Sequence, residues 1–248
     1  MGVGLDMGPH PLWLLEDLMG DLEITSGMRV LDLGSGLGAT SVFLARELGA
    51  EVFAVDLWVP AEDAARTFAE AGVQDRVHAL HADARKLPFA PSFFDAVVSI
   101  DAFEYFGTDD TYLPYLLDFV KSGGQVGIAV PSTTRELREL GRIPDHVRRC
   151  VGWEGVAWHT PEWWRDHWAL TGLVEVTSAR PQPDAWAKWL LWSKVCRQHN
   201  AESDYDVASV IEMLEADGGE LLSFALVTAR KGAAVAGSPS DVAVDQSQ

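Results

Sequence analysis

The residues best equipped for chemistry fall in the first half of the chain. Gly34, Ser35, Gly36 and Gly38 lie within five positions; Asp32 stands two residues before them, and Asp56 lies 22 residues after Gly34. Glycines permit a tight turn and let a ligand lie directly against the main chain. A helix starting just beyond them leaves free N–H groups facing that ligand. A carboxylate about 20 residues on can accept from ribose hydroxyls. This is the chemistry of nucleotide recognition. Further along, Asp83-Ala84 offers a second carboxylate with an adjacent N–H, and Asp101, Glu104 and Tyr105 form a second polar group.

These residues need elements that hold them together. Val30, Leu31 and Leu33 form a short apolar run that predicts a buried strand. Val42, Phe43, Leu44 and Leu48 predict a helix ended by Gly49, and Val52–Val55 a second strand ending on Asp56. Strand, glycine turn, helix, strand and acid make a nucleotide-binding βαβ unit. Gly34, Gly36 and Ala39 also fit G-x-G-x-x-A, so the glycines alone allow a dinucleotide such as NAD. Asp32 favours a different ligand. A carboxylate at the end of the first strand opposes a pyrophosphate but attracts a cation, and S-adenosylmethionine carries a sulfonium and an ammonium and no phosphate.

The stretch VLDLGSGLG resembles motif I of the class I S-adenosylmethionine (SAM)-dependent methyltransferases, and HADARKLPFAPSFFDAVVSID resembles the stretch carrying their motifs III and IV. The resemblance implies an α/β, Rossmann-like class I methyltransferase fold. Its seven-stranded, mostly parallel sheet would have the order 3-2-1-4-5-7-6, helices on both faces and a C-terminal lid insertion. It implies a SAM site formed by Asp32, Gly34, Ser35, Gly36, Gly38, Asp56, Leu57, Trp58, Asp83, Ala84 and Asp101. In that site Trp58 would stack on the adenine, Asp83 would accept from its amino group, and the Ala84 N–H would donate to a ring nitrogen. Ligands of open parallel sheets bind beyond the carboxyl ends of the strands. The octet Ser99–Phe106 is therefore the expected meeting point of methyl and acceptor. Asp101, Glu104 and Tyr105 would hold the acceptor from below, and His10 from an N-terminal cover. Asp101, Glu104 and His10 are the candidate bases. Ser99-Ile100-Asp101-Ala102 departs from the Asn/Asp-Pro-Pro-Tyr/Phe of enzymes that methylate nucleobase or glutamine nitrogens, and the turn Lys121–Gly124 lacks the family's usual proline.

The rest of the chain divides as follows: an N-terminal arm and cover helix (1–27), the SAM-binding core (28–131), a lid insertion (132–160), the end of the core with Trp-rich lid helices (161–231), and a disordered tail (232–248). Residues 1 to about 10 are expected to be mobile. Pro11–Leu22, Ala61–Ala71, Thr111–Val120, Thr160–Thr171, Asp184–Asn200 and Val207–Ala216 predict helices; Val77–His81, Phe94–Ile100, Gln125–Val130, Leu173–Ala179 and Leu221–Ala229 predict strands. Eight of the ten tryptophans follow residue 150. Trp186, Trp189 and Trp192, three apart, share roughly one helix face. They either pack the lid onto the sheet or line an acceptor pocket.

Composition bounds the partners. The 248 residues, 48% hydrophobic and 23% charged, suit one α/β domain with insertions. A formal charge of −18 repels phosphate backbones, so nucleic acid is not the expected substrate. No basic run suggests an anionic membrane, no apolar stretch reaches the roughly 20 residues that span a bilayer, and no signal peptide opens the chain. Cys150, Cys196 and the seven histidines form no metal-ligand spacing. The expectation is a cytoplasmic enzyme acting on a small-molecule acceptor, with no metal and with a homodimer as the permitted assembly. Two rivals remain: an NAD(P)-dependent oxidoreductase, and a SAM-binding protein without transferase activity.

Overall fold

Each apolar run of the sequence pairs with its neighbours in one seven-stranded sheet. The strands are β1 (Arg29–Leu33), β2 (Glu51–Asp56), β3 (Val77–His81), β4 (Phe94–Ile100), β5 (Val120–Thr133), β6 (Val174–Pro181) and β7 (Leu222–Lys231), in the order β3-β2-β1-β4-β5-β7-β6. The computed structural model describes residues 9–199 and 206–232. The expected mobile start and disordered tail fall largely on 1–8 and 233–248, outside the described residues. The first five strands are parallel, and β7 runs antiparallel to both β5 and β6.

Alternation along the strands separates two apolar faces. Val30, Val52, Val98 and Ala129 pack on one face with α1 (Pro11–Met19), α2 (Ala39–Glu47), α3 (Ala61–Glu70), α8 (Ala185–His199) and α9 (Val207–Asp217). Leu31, Val97, Ile128 and Val227 pack on the other with α4 (Tyr112–Asp118) and α7 (Pro161–Leu170). Burial on both faces is why these strands read as near-continuous apolar runs. Helix α7 begins as its sequence predicts: the Thr160 hydroxyl accepts from the Trp163 N–H, and Pro161 takes the first helical position.

Both ends of β5 differ from expectation. Strand β5 starts at Val120 rather than Gln125, because Val120 pairs with Phe94 before Lys121–Gly124 bulges out and pairing resumes at Gln125 opposite Ala96. The same strand continues through Ser132 and Thr133, which pair with Ser223 and Leu222. The first residues of the expected lid are thus part of the sheet. Beyond them come α5 (Leu137–Leu140), α6 (Asp145–Val151) and a 3-10 helix, Glu154–Ala157.

Candidate active site

The glycine turn lies at the carboxyl end of β1, and its conformation explains its composition. Gly34 has φ +76°, and a Cβ there would overlap the Ala102 methyl. Gly38 has φ +88°, and a Cβ there would enter the Phe68 ring. Gly36, at φ +55°, meets nothing within 4 Å and stands open to the adjoining cavity. Gly34 and Gly38 therefore serve backbone packing, whereas Gly36 leaves room for a ligand.

Beneath the turn, Asp32 is fully buried. Its Oδ2 accepts from the Thr40 hydroxyl at 2.6 Å and the Ser41 hydroxyl at 2.5 Å, while its Oδ1 has no partner. Burial pushes its pKa up to about 6 against the opposing effect of the two hydroxyls, and the nearby charge of Asp56 adds to the rise. Asp56 closes β2. Its Oδ2 accepts from the Gly36 N–H at 2.8 Å, and its Oδ1 from the N–H groups of Trp58 (2.7 Å) and Val59 (2.8 Å).

A cavity of about 270 Å³ opens beside this turn. Of the expected cofactor residues, Gly34, Gly36, Asp56, Leu57, Trp58, Asp83, Ala84 and Asp101 line it. Asp32, Ser35 and Gly38 do not: Asp32 and Ser35 are buried, and Gly38 is turned against Phe68. Asp32 thus braces the start of α2 rather than forming the wall. Trp58, 64% exposed, meets Tyr105 edge-on at 5.1 Å, and both rings line the cavity. The Asp83 carboxylate takes two bonds from the Arg85 guanidinium, at 2.9 and 2.8 Å, which hold its pKa down to about 2. Arg85 also lines this cavity, a contributor the motif reading missed although it stands two residues after Asp83.

A second cavity, of about 310 Å³, adjoins the first. Asp101 and Tyr105 line both, so the end of β4 is a common wall. Asp101 holds φ +55°, a conformation that favours glycine, and its N–H donates to the Ala129 carbonyl at 2.7 Å. Backbone strain of this kind recurs at functional sites. Burial pushes the Asp101 carboxyl up to about 7. Glu104, in the 3-10 turn Phe103–Tyr105, lines only the second cavity, and burial followed by the charge of Asp101 raises its pKa well above the usual range.

His10 lies elsewhere, contrary to expectation. Its Nδ1 accepts from the Trp13 N–H and caps α1, and its ring stacks on Trp13 at 4.4 Å and meets Trp192 edge-on at 4.3 Å. It lines neither large cavity. Burial lowers its pKa, which suits a packed, neutral ring. Among the tryptophans, Trp158 and Trp189 line the second cavity, whereas Trp164 and Trp168 pack around Phe103 on the opposite face of the sheet. Sequence spacing left open whether the tryptophans pack on the sheet or face a pocket; Trp164 and Trp168 pack on the sheet, and Trp158 and Trp189 border a cavity.

Among the described residues, no helix is long and apolar enough to cross a membrane, and no group of three His, Cys, Asp or Glu is placed to hold a metal ion.

Comparison with known proteins bears on the domain and the fold. Residues 30–124 match the family model described as a methyltransferase domain. The methyltransferase GfsG of Streptomyces halstedii is 31% identical over 117 residues, 47% of this chain and 42% of that protein. The matches span less than half the length of the first such relatives. Among solved structures, phosphoethanolamine N-methyltransferase 2 of Haemonchus contortus in complex with SAM superposes with a TM-score of 0.75 at 20% identity, covering 92% of this chain and 54% of that one. The [4+2]-cyclase SpnF superposes at 0.69 and 20% identity, covering 89% and 80%. Likenesses at this identity establish the shared fold.

Proposed function

We propose that the chain, whose residues 30–124 match a methyltransferase domain, is a class I SAM-dependent methyltransferase that transfers the SAM methyl to a small-molecule acceptor. The observation that carries this reading is the shared wall: Asp101 and Tyr105 border both the cavity beside the glycine turn and the second cavity. A methyl donor in the first and an acceptor in the second would meet across that wall.

The residues present fit SAM. Gly36 leaves an open cradle, and Asp56, Asp83 and Ala84 line the same cavity, where Asp56 would accept from ribose hydroxyls and Asp83 and Ala84 would face an adenine. The orphaned Oδ1 of Asp32, under the turn, adds negative potential that favours a cation over a pyrophosphate. When bound, SAM supplies a methyl on a positively charged sulfur, which passes to an acceptor lone pair as the carbon–sulfur electron pair leaves with the sulfur. The protein's part is alignment and exclusion of water. Trp58 and Tyr105 cover one side, and Asp101 is the residue able to hold an acceptor proton at the shared wall. His10, packed between two tryptophans, is not part of this proposal.

The test is calorimetry with SAM and S-adenosylhomocysteine, followed by an assay for methylated product. Micromolar binding, roughly −7 to −8 kcal/mol, is expected. Absence of heat and of thermal shift at millimolar ligand would sink the reading. One further reading has specific support: the fold is shared by the [4+2]-cyclase SpnF. Cofactor binding without methylated product from a broad acceptor panel would favour that alternative.

A further inference from the structure

Taking the second cavity as the acceptor site of the proposed transferase, we infer that its acceptor is an amine on an apolar body, bearing no carboxylate or phosphate. Asp101, Glu104, Glu154 and Asp206 all line this one cavity. They come from four places in the fold: the end of β4, the 3-10 turn after it, the 3-10 helix Glu154–Ala157, and the cap of α9. No Lys, Arg or His lines the cavity among the described residues.

Glu104 points to the ligand's charge independently. It is 4% exposed, and its Oε2 has no hydrogen-bond partner. A carboxylate so buried either keeps its proton or meets a cation. An ammonium group in the cavity would supply both a positive charge and N–H donors. The remaining wall suits an apolar or aromatic body. Trp158 and Trp189 stand 6.0 Å apart between ring centroids and add π faces that attract cations. An acceptor carrying a phosphate, such as the phosphoethanolamine named for the Haemonchus enzyme, would meet four acids here and no base among the described residues.

The chemistry balances. An entering alkylammonium gives one proton to a carboxylate of this wall. Its freed nitrogen lone pair then forms the nitrogen–methyl bond while the carbon–sulfur pair returns to sulfur. The product is a methylated ammonium, with a neutral thioether beside it.

The experiment titrates phenethylamine and hexylamine into the full-length protein, with and without S-adenosylhomocysteine, reading calorimetric affinity and melting temperature. The matched alcohols, 2-phenylethanol and 1-hexanol, and the matched acids, 3-phenylpropanoate and heptanoate, are titrated alongside. The amines should bind about tenfold or more tightly than the alcohols, and the carboxylates should not compete. Glu104→Gln should lose about tenfold in amine affinity while S-adenosylhomocysteine affinity stays within about twofold. If that variant does not fold, Glu154→Gln, at an exposed position, carries the same comparison. Equal or tighter binding of the alcohols or carboxylates, or no binding of either amine, overturns the inference. The S-adenosylhomocysteine titration alone reports on the methyltransferase reading, so failure of one is distinguishable from failure of the other.

Discussion

Asp101 and Glu104 share one wall of the second cavity, and the charge on Asp101 adds to burial in raising the proton affinity of Glu104. Two such acids lose their protons in coupled steps that belong to the pair. Near neutrality one carboxyl can be charged while the other keeps its proton, an arrangement suited to taking a proton from an acceptor. Asp101→Asn should therefore lower turnover at pH 7 by about 10²-fold with an acceptor that must be deprotonated. The deficit should shrink as pH approaches the acceptor's own pKa. Wild-type rates in the variant from pH 6 to 9 would leave alignment alone to carry the reaction.

Asp32 makes a second pH-dependent prediction. Its folded pKa of about 6 lies above the ordinary value of 3.8, so the folded state holds this proton more tightly than the unfolded chain. The associated stability is fully present below pH 3.8 and is lost as pH rises to about 6. Comparison with Asp32→Asn isolates this contribution. The wild type should lose about 2–2.5 kcal/mol relative to the variant between pH 4 and pH 7. Denaturant melts at the two pH values check it, and a constant difference would mean that Asp32 stays charged throughout.

The glycines separate packing from ligand approach. Gly34→Ala adds a methyl against the Ala102 side chain in a left-handed conformation, so it should lower stability by about 2–3 kcal/mol. Gly36→Ala meets open space and should cost only about 1–2 kcal/mol for its backbone conformation. It should nevertheless weaken SAM binding, because its new methyl stands where a ligand would approach. Thermal melts and calorimetry of both variants test the distinction; equal effects on both quantities would refute it.

The strand order followed from the resemblance of VLDLGSGLG and HADARKLPFAPSFFDAVVSID to the class I methyltransferases, whereas most element boundaries were legible because buried parallel strands leave apolar runs of the right length, bounded by Gly34, Gly49 and Gly72. The exceptions have local causes. Pairing on both sides of the Lys121–Gly124 bulge lengthens β5, and such pairing is invisible in a single segment. Motif spacing brought Asp56, Asp83 and Asp101 to one cavity, but it could not tell a wall residue from the brace beneath it. Asp32 and Gly38 belong to the brace. His10 caps α1 and stacks on Trp13 through local contacts, but its edge contact with Trp192 comes from α8, distant in sequence, and could not be read from the segment alone. The acidity of the second cavity was equally hidden, since Glu154 and Asp206 reach it from separate segments.

The Asp56 carboxylate has two duties that mutation can separate. It accepts three backbone N–H groups, which fix the Gly36 turn and the start of the Trp58 loop, and it is the residue proposed to accept from the ribose. Asp56→Ala removes both functions and should weaken SAM binding by about 2–3 kcal/mol, roughly 30- to 150-fold. The sheet pairing of β2 does not depend on this side chain, so the fold should survive. Asp56→Asn keeps a carbonyl acceptor while losing the charge, and should fall between wild type and Asp56→Ala. Calorimetry with far-ultraviolet dichroism on all three proteins is the measurement. Unchanged affinity in Asp56→Ala would return Asp56 to the purely structural half of its role.

The elements over the second cavity give the last expectation. Cys150, Val151, Glu154 and Trp158 reach it from the segment after β5, and Trp189 reaches it from α8. Both segments leave the sheet at the carboxyl end of β5 or between β6 and β7, and neither is tied into the parallel strands. A cover of this kind opens at lower free energy than the sheet beneath it. Ligand held under it would suppress that opening. Amide exchange across 137–158 and 185–199 should therefore slow when S-adenosylhomocysteine and an amine are both present, while β1, β4 and β5 stay unchanged. Trp189 gives the mechanism a specific handle, because it contacts Phe224 of β7 at 5.1 Å as well as lining the cavity. Trp189→Ala should raise exchange in α8 and remove most of the ligand's protection there. Equal exchange with and without ligand in the wild type would make the segment a rigid wall, and the acceptor would then have to enter by another route.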